Sequence, residues 1–139
     1  MGEWTLLIDD GEPGAYFIKE TLNEFMTLMF IRHHFGEEAY RTQLERCERE
    51  YRAIEGTPRD EPLIAMVHND NNTVVYRKGP LLLDRLARQI GYGRLTETIA
   101  GFYREYCGKY PLAYADFASW FERCVPGHGA MLNTLITAK

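Results

Sequence analysis

The stretch Glu37-Glu38-Ala39-Tyr40-Arg41-Thr42-Gln43-Leu44-Glu45-Arg46-Cys47-Glu48-Arg49-Glu50-Tyr51-Arg52-Ala53-Ile54 sets Tyr40, Leu44, Cys47, Tyr51 and Ile54 at intervals of four, three, four and three. That period is one face of an α-helix and no face of a strand. The intervening positions are rich in Glu and Arg, and opposite charges one turn apart support a solvated helix face. Gly56-Thr57-Pro58 ends the segment. The preceding stretch, Ala15 to Phe35, has apolar residues at 18, 22, 25, 26, 29 and 30, with Gly36 as a helix stop. Before that, residues 1–14 are turn-rich. Gly11-Glu12-Pro13-Gly14 is a breaker, and Trp4, Leu6, Leu7 and Ile8 suit a brief strand or a helix end.

Beyond Pro58, Glu61 to Asn72 reads as a connector, with His68-Asn69-Asp70-Asn71-Asn72 strongly turn-forming. A helix is predicted from about Thr73, with Leu82, Leu83, Leu86 and Ile90 on one side and a break at Gly91-Tyr92-Gly93. Leu95, Ile99, Phe102, Tyr103 and Tyr106 mark the next, closed by Gly108 and Pro111. Phe117, Trp120, Phe121 and Cys124 mark another, closed by Pro126-Gly127, and Met131 to Ile136 suits a last short helix. No repeat, low-complexity tract or linker divides the chain. The expectation is one all-α domain over residues 1–139, a bundle of five or six helices with short loops.

Composition narrows the function. The chain has 139 residues, 45% hydrophobic and 26% charged, enough for one real core. A net charge of −4 with scattered Arg and Lys gives no footprint for nucleic acid, so no nucleic-acid partner is expected. Cys47, Cys107 and Cys124 are odd in number and lack C-x-x-C spacing, which argues against a disulfide framework or zinc ribbon. They read as buried or half-buried thiols and favour a reducing compartment, hence the cytoplasm. No run approaches the ~20 apolar residues of a membrane span, and Glu3, Asp9, Asp10 and Glu12 are wrong for the basic start of a signal peptide. The aromatic content is spaced as core packing, and Gly127-His128-Gly129 reads as a simple loop.

Two segments carry chemistry-bearing residues. In Lys19-Glu20-Thr21-Leu22-Asn23-Glu24-Phe25, Glu20 and Glu24 fall on one helix face, where the ordinary reading is a solvated or dipole-stabilised pair. In Val74-Val75-Tyr76-Arg77-Lys78-Gly79-Pro80, Tyr76 reads as a half-buried phenol at a helix start and Lys78 as structural.

In that order the two segments resemble the aminopeptidase N-like (gluzincin) zinc metallopeptidases. The first is similar to the helix that carries the third zinc ligand, with a core E-[GS]-[LF]-A-x-[YF] and a glycine sixteen residues on; Gly36 is 36 − 20 = 16 residues after Glu20. Thr21 and Asn23 depart from the usual small residues. Tyr76-Arg77-Lys78-Gly79 is similar to the family's Y-x-K-G turn, where Glu is commonest at the second position. Leu81-Leu82-Leu83, Arg88-Gln89-Ile90-Gly91 and the later F-Y-R-E-Y-C-G-K-Y-P also follow the family's course, so the resemblance covers about Gly14 to Val125.

The resemblance implies that Glu20 is the third ligand of a zinc ion and that Tyr76 stabilises the oxyanion at the scissile carbonyl of a peptide substrate. The first two ligands and the general base of that family come from H-E-x-x-H, which this chain lacks. In the family pattern the second histidine lies nineteen residues before the glutamate, which here is Met1. The chain is therefore expected to be part of a catalytic domain, with the missing N-terminal part as its partner and Zn²⁺ held only by the complete parent. Alone it is expected to be inactive and to bind no zinc. His33 and His34 cannot substitute, since about thirteen residues of helix separate them from Glu20 by roughly 20 Å; His68 and His128 would need a tertiary approach. The alternative is a non-catalytic helical interaction module derived from a peptidase, with exposed apolar surface promoting self-association. Similar peptidase domains are in some cases carried by membrane-attached proteins.

Overall fold

The computed structural model describes residues 6–67, 71–109 and 111–139. Trp4 of the expected N-terminal strand, Met1 at the second-histidine position, His68-Asn69-Asp70 of the expected turn, and Tyr110 lie outside the described residues. Six α-helices follow in order: α1 (Leu22–Phe35), α2 (Glu37–Arg52), α3 (Gly79–Ile90), α4 (Tyr92–Tyr106), α5 (Tyr114–Cys124) and α6 (Gly129–Thr137). The all-α bundle expected from the periodicities is the observed architecture. Among the described residues the only β pairing is one parallel bridge, Ile8 with Leu112, where Leu112 N–H donates to Leu7 O at 2.9 Å and Asp9 N–H to Leu112 O at 2.8 Å.

Single glycines turn the chain between adjacent helices. Gly36 (φ 98°) joins α1 to α2 and Gly91 (φ 101°) joins α3 to α4. Both take the positive φ that a side chain disfavours, so one residue suffices to reverse direction. α1 packs along α2, while α3 lies centrally against α1, α2, α4 and α6. The core is continuous through Phe17, Phe25, Tyr40, Leu83, Leu86, Ile99, Phe102 and Phe117. Edge-to-face contacts run from Phe17 to Phe117 (5.7 Å between ring centres) and from Phe117 to Phe102 (5.1 Å), the geometry that ring quadrupoles favour. They tie the segment before α1 to α4 and α5.

Four particulars differ from the sequence-based expectation. α2 ends at Arg52, and Ala53 to Gly56 form turns that a periodicity reading extends as helix. The last helix is longer than expected, Gly129–Thr137. Phe30, counted in the apolar stripe of α1, is 57% exposed, because it lies on the flank of the helix that the exposed Asn23 and Thr27 share, while Leu28 and Met29 face the core. Neither chemistry-bearing segment is plain α-helix: Phe17–Thr21 and Val74–Lys78 are π-helical turns, each leading into the α-helix that follows it.

Candidate functional site: a carboxylate–phenol pair between two π turns

Pro80 follows just after the second π turn. An α-helix through this point would need Pro80 to donate to Tyr76, and proline has no N–H. Instead Gly79 N–H reaches back five residues to Val74 O. Leu22 N–H likewise reaches Phe17 O, closing the first turn. Pro80 also leaves Val75 O without a donor five residues on. The Thr21 hydroxyl fills that role from the other segment, at 2.8 Å and fully buried. The Arg77 guanidinium folds back onto Tyr76 O at 3.1 Å. Wide helical turns of this kind recur at functional sites.

Next to this cross-link Glu20 meets Tyr76. The phenol donates to Glu20 Oε2 in a short hydrogen bond, across 56 residues of sequence. That bond, with burial, pushes the Tyr76 phenol up to about 12; a phenol bound to a carboxylate is disfavoured as an anion. The two residues singled out from sequence thus meet, both half-buried. Glu24 does not join them. It lies 4.0 Å from Arg77, which also binds Glu50 at 3.0 Å. Arg77 therefore has acidic partners on both α1 and α2.

Tyr103 is the group that sequence reasoning missed. Its hydroxyl is buried and has no hydrogen-bond partner among the described residues. Burial, then the negative charge of Glu20, hold its phenol well above the ordinary range. The sequence signal was present, since Tyr103 follows Ile99 by one turn, but the same spacing reads as core.

Lys78, read from sequence as structural, faces a second cluster. It is buried and donates to Asp60 Oδ1 (2.8 Å), Glu61 O (3.0 Å) and Ala138 O (3.2 Å). Asp60 also accepts from the Tyr51 hydroxyl (2.9 Å to each oxygen) and Gly56 N–H (3.1 Å). Burial would raise the Asp60 carboxyl; the Lys78 ammonium, Gly56 N–H and Tyr51 hydroxyl overcome it and hold the carboxyl below its usual value. No disulfide joins the three cysteines; Cys47 is buried and Cys107 and Cys124 half-buried.

The residues present do not fit a complete zinc site, which needs two imidazoles and a carboxylate around an open position. His33 and His34 meet edge to face (4.9 Å between ring centres) at the exposed end of α1, with Phe30 beside them (4.2 Å from His34). His128 occupies the N-cap position of α6 without a side-chain capping bond, its ring nitrogen 3.3 Å from Pro126 O, and His68 lies outside the described residues. Among the described residues no group of three or more His, Cys, Asp or Glu side chains is placed to hold a metal ion. Among them too, no helix is long and apolar enough to cross a membrane. Comparison with protein-family models, with curated proteins and with solved structures finds no match.

Proposed function

We propose that this chain forms the helical part of an aminopeptidase N-like zinc peptidase domain. In this reading Glu20 holds the third-ligand position, and the Tyr76 O–H, which here donates to Glu20, turns to the oxygen that becomes negative when a peptide carbonyl is attacked. Such a preorganised donor contributes a few kcal/mol in a complete site. The imidazoles and the general base come from an H-E-x-x-H segment outside these 139 residues, and the chain by itself is inactive. The observation that carries the reading is the meeting of Glu20 and Tyr76. The resemblance puts both side chains in one pocket, and that contact agrees with such an arrangement.

The test is the coding sequence upstream of Met1 and the polypeptide it encodes. Continuous coding through H-E-x-x-H, one zinc per longer polypeptide, and loss of that zinc in Glu20→Ala would support the reading. In the same polypeptide Tyr76→Phe should keep the zinc and lose peptide hydrolysis. A longer polypeptide with the motif and no zinc overturns it.

A second reading, a non-catalytic interaction module, draws on Phe30 (57% exposed) and Phe35 (70% exposed) at the end of α1. A stop codon directly upstream of Met1 would favour it.

A further inference from the structure

Thr21 stands where the family that the chain resembles has a small residue, and it is wholly buried between the two π turns. Its hydroxyl donates to Val75 O at 2.8 Å, the carbonyl next to Tyr76 and the one for which Pro80 has no N–H. Its methyl group occupies the space in front of Gly79, where an added Cβ would come within 2.3 Å of Thr21 Cγ2. Both halves of this small side chain are therefore used, one polar and one steric. Thr21 follows Glu20 directly, Val75 immediately precedes Tyr76, and Gly79 lies three residues after it. From this geometry we infer that Thr21 is a positioning residue: a latch from its hydroxyl to Val75 O, seated against Gly79, sets the approach of the Glu20 carboxylate to the Tyr76 phenol.

Three consequences separate this role from general core packing. Serine at position 21 keeps the latch, because the hydroxyl does the joining. Valine, which matches threonine in shape, loses it and leaves Val75 O buried without a donor. Alanine at position 79 forces Thr21 away even though its own hydroxyl is intact. The inference needs no zinc and concerns the chain as it stands, so its failure would leave the peptidase reading to be judged by zinc binding.

The experiment measures the coupling between Glu20 and Tyr76 by urea unfolding of the full chain. The cycle uses Glu20→Gln, Tyr76→Phe and the double variant, in three backgrounds: Thr21, Thr21→Ser and Thr21→Val. A hydrogen bond to a charged group predicts a coupling of about tenfold in the unfolding constant for the Thr21 and Ser backgrounds. In the Val background the coupling should fall below about threefold. Should Thr21→Val not fold, Thr21→Ala removes the same hydroxyl without adding bulk, and the same fall is expected. Coupling retained in the Val or Ala background, coupling lost equally with Ser and Val, or no coupling with Thr21 itself would each overturn the assignment.

Discussion

Replacing Lys78 by Met keeps the length and apolar stem of the side chain and removes its charge. The ammonium is 4% exposed and the Asp60 carboxylate beside it 6% exposed, at 2.8 Å. The variant would leave Asp60 buried, with Tyr51 and Gly56 as its donors. Breaking a buried pair on one side costs about 3–5 kcal/mol, since the remaining charge is uncompensated. Against a total stability of about 5–15 kcal/mol that is a large fraction. At about 2 kcal/mol per molar urea, the unfolding midpoint of Lys78→Met should drop by about 2 M at neutral pH.

The pH dependence has a definite sign. Asp60 is held below its ordinary value in the folded chain, so its contribution is full above the unfolded carboxyl's range near pH 4 and is lost as pH falls through the folded value. In Lys78→Met the carboxyl loses the largest of the groups that hold it down, keeping only Gly56 N–H and the Tyr51 hydroxyl against its burial, so protonation relieves the buried charge and the two proteins should converge on acidification. Removing both partners, as Lys78→Met with Asp60→Leu, should recover most of the loss. Urea titrations followed by far-UV circular dichroism at neutral and acidic pH provide the measurement. A loss below about 1 kcal/mol at neutral pH, or a gap that does not narrow toward acid, would refute the account of Lys78 as the counter-ion of Asp60.

Tyr103→Phe removes a buried hydroxyl without a partner among the described residues, so its thermal midpoint should equal or exceed that of the parent; a fall of more than about 1 kcal/mol would mean that the hydroxyl is bonded. Tyr40→Phe should cost about 1.5–3 kcal/mol, because its hydroxyl donates to the buried Asp84 at 2.7 Å, and chemical denaturation checks this. The Tyr76 phenol, isolated as the difference in alkaline absorbance between parent and Tyr76→Phe, should titrate at about 12. Glu20→Gln should move it back toward about 10. Because the folded value is raised, the pair's contribution to stability is intact below about pH 10 and is lost as pH climbs toward the folded value.

The helices were legible because their stops and stripes are independent signals that agree. Gly36 and Gly91 mark reversals that only a positive φ allows, and Tyr40, Leu44 and Cys47 keep the α period and are buried. The π turns were not legible from apolar spacing. The positions 18, 22, 25 and 29 satisfy an α stripe whether or not one turn is widened. Pro80 was the available signal for the second turn, since a proline inside a helical stretch that continues before it removes the bond to the residue four back and crowds that carbonyl. Phe17–Thr21 offers no such marker. Glu20 and Tyr76 could be singled out through motif resemblance, but their contact depends on Thr21, Val75 and Gly79, three residues whose roles appear only once two distant segments are brought together. Tyr103 was hidden for a related reason: a phenol on a core stripe looks like packing until its hydroxyl is seen to lack a partner.

The widened turns also make segment length a hidden variable. Each residue of an α-helix advances the side-chain direction by about 100°, so deleting one residue, such as Ile18 or Val74, would let regular pitch return while swinging Glu20 or Tyr76 away from its counterpart. Helix content would scarcely change. Among relatives of this chain, a one-residue gap at either place should thus coincide with loss of the acid, the phenol or both, even where every neighbouring letter is kept.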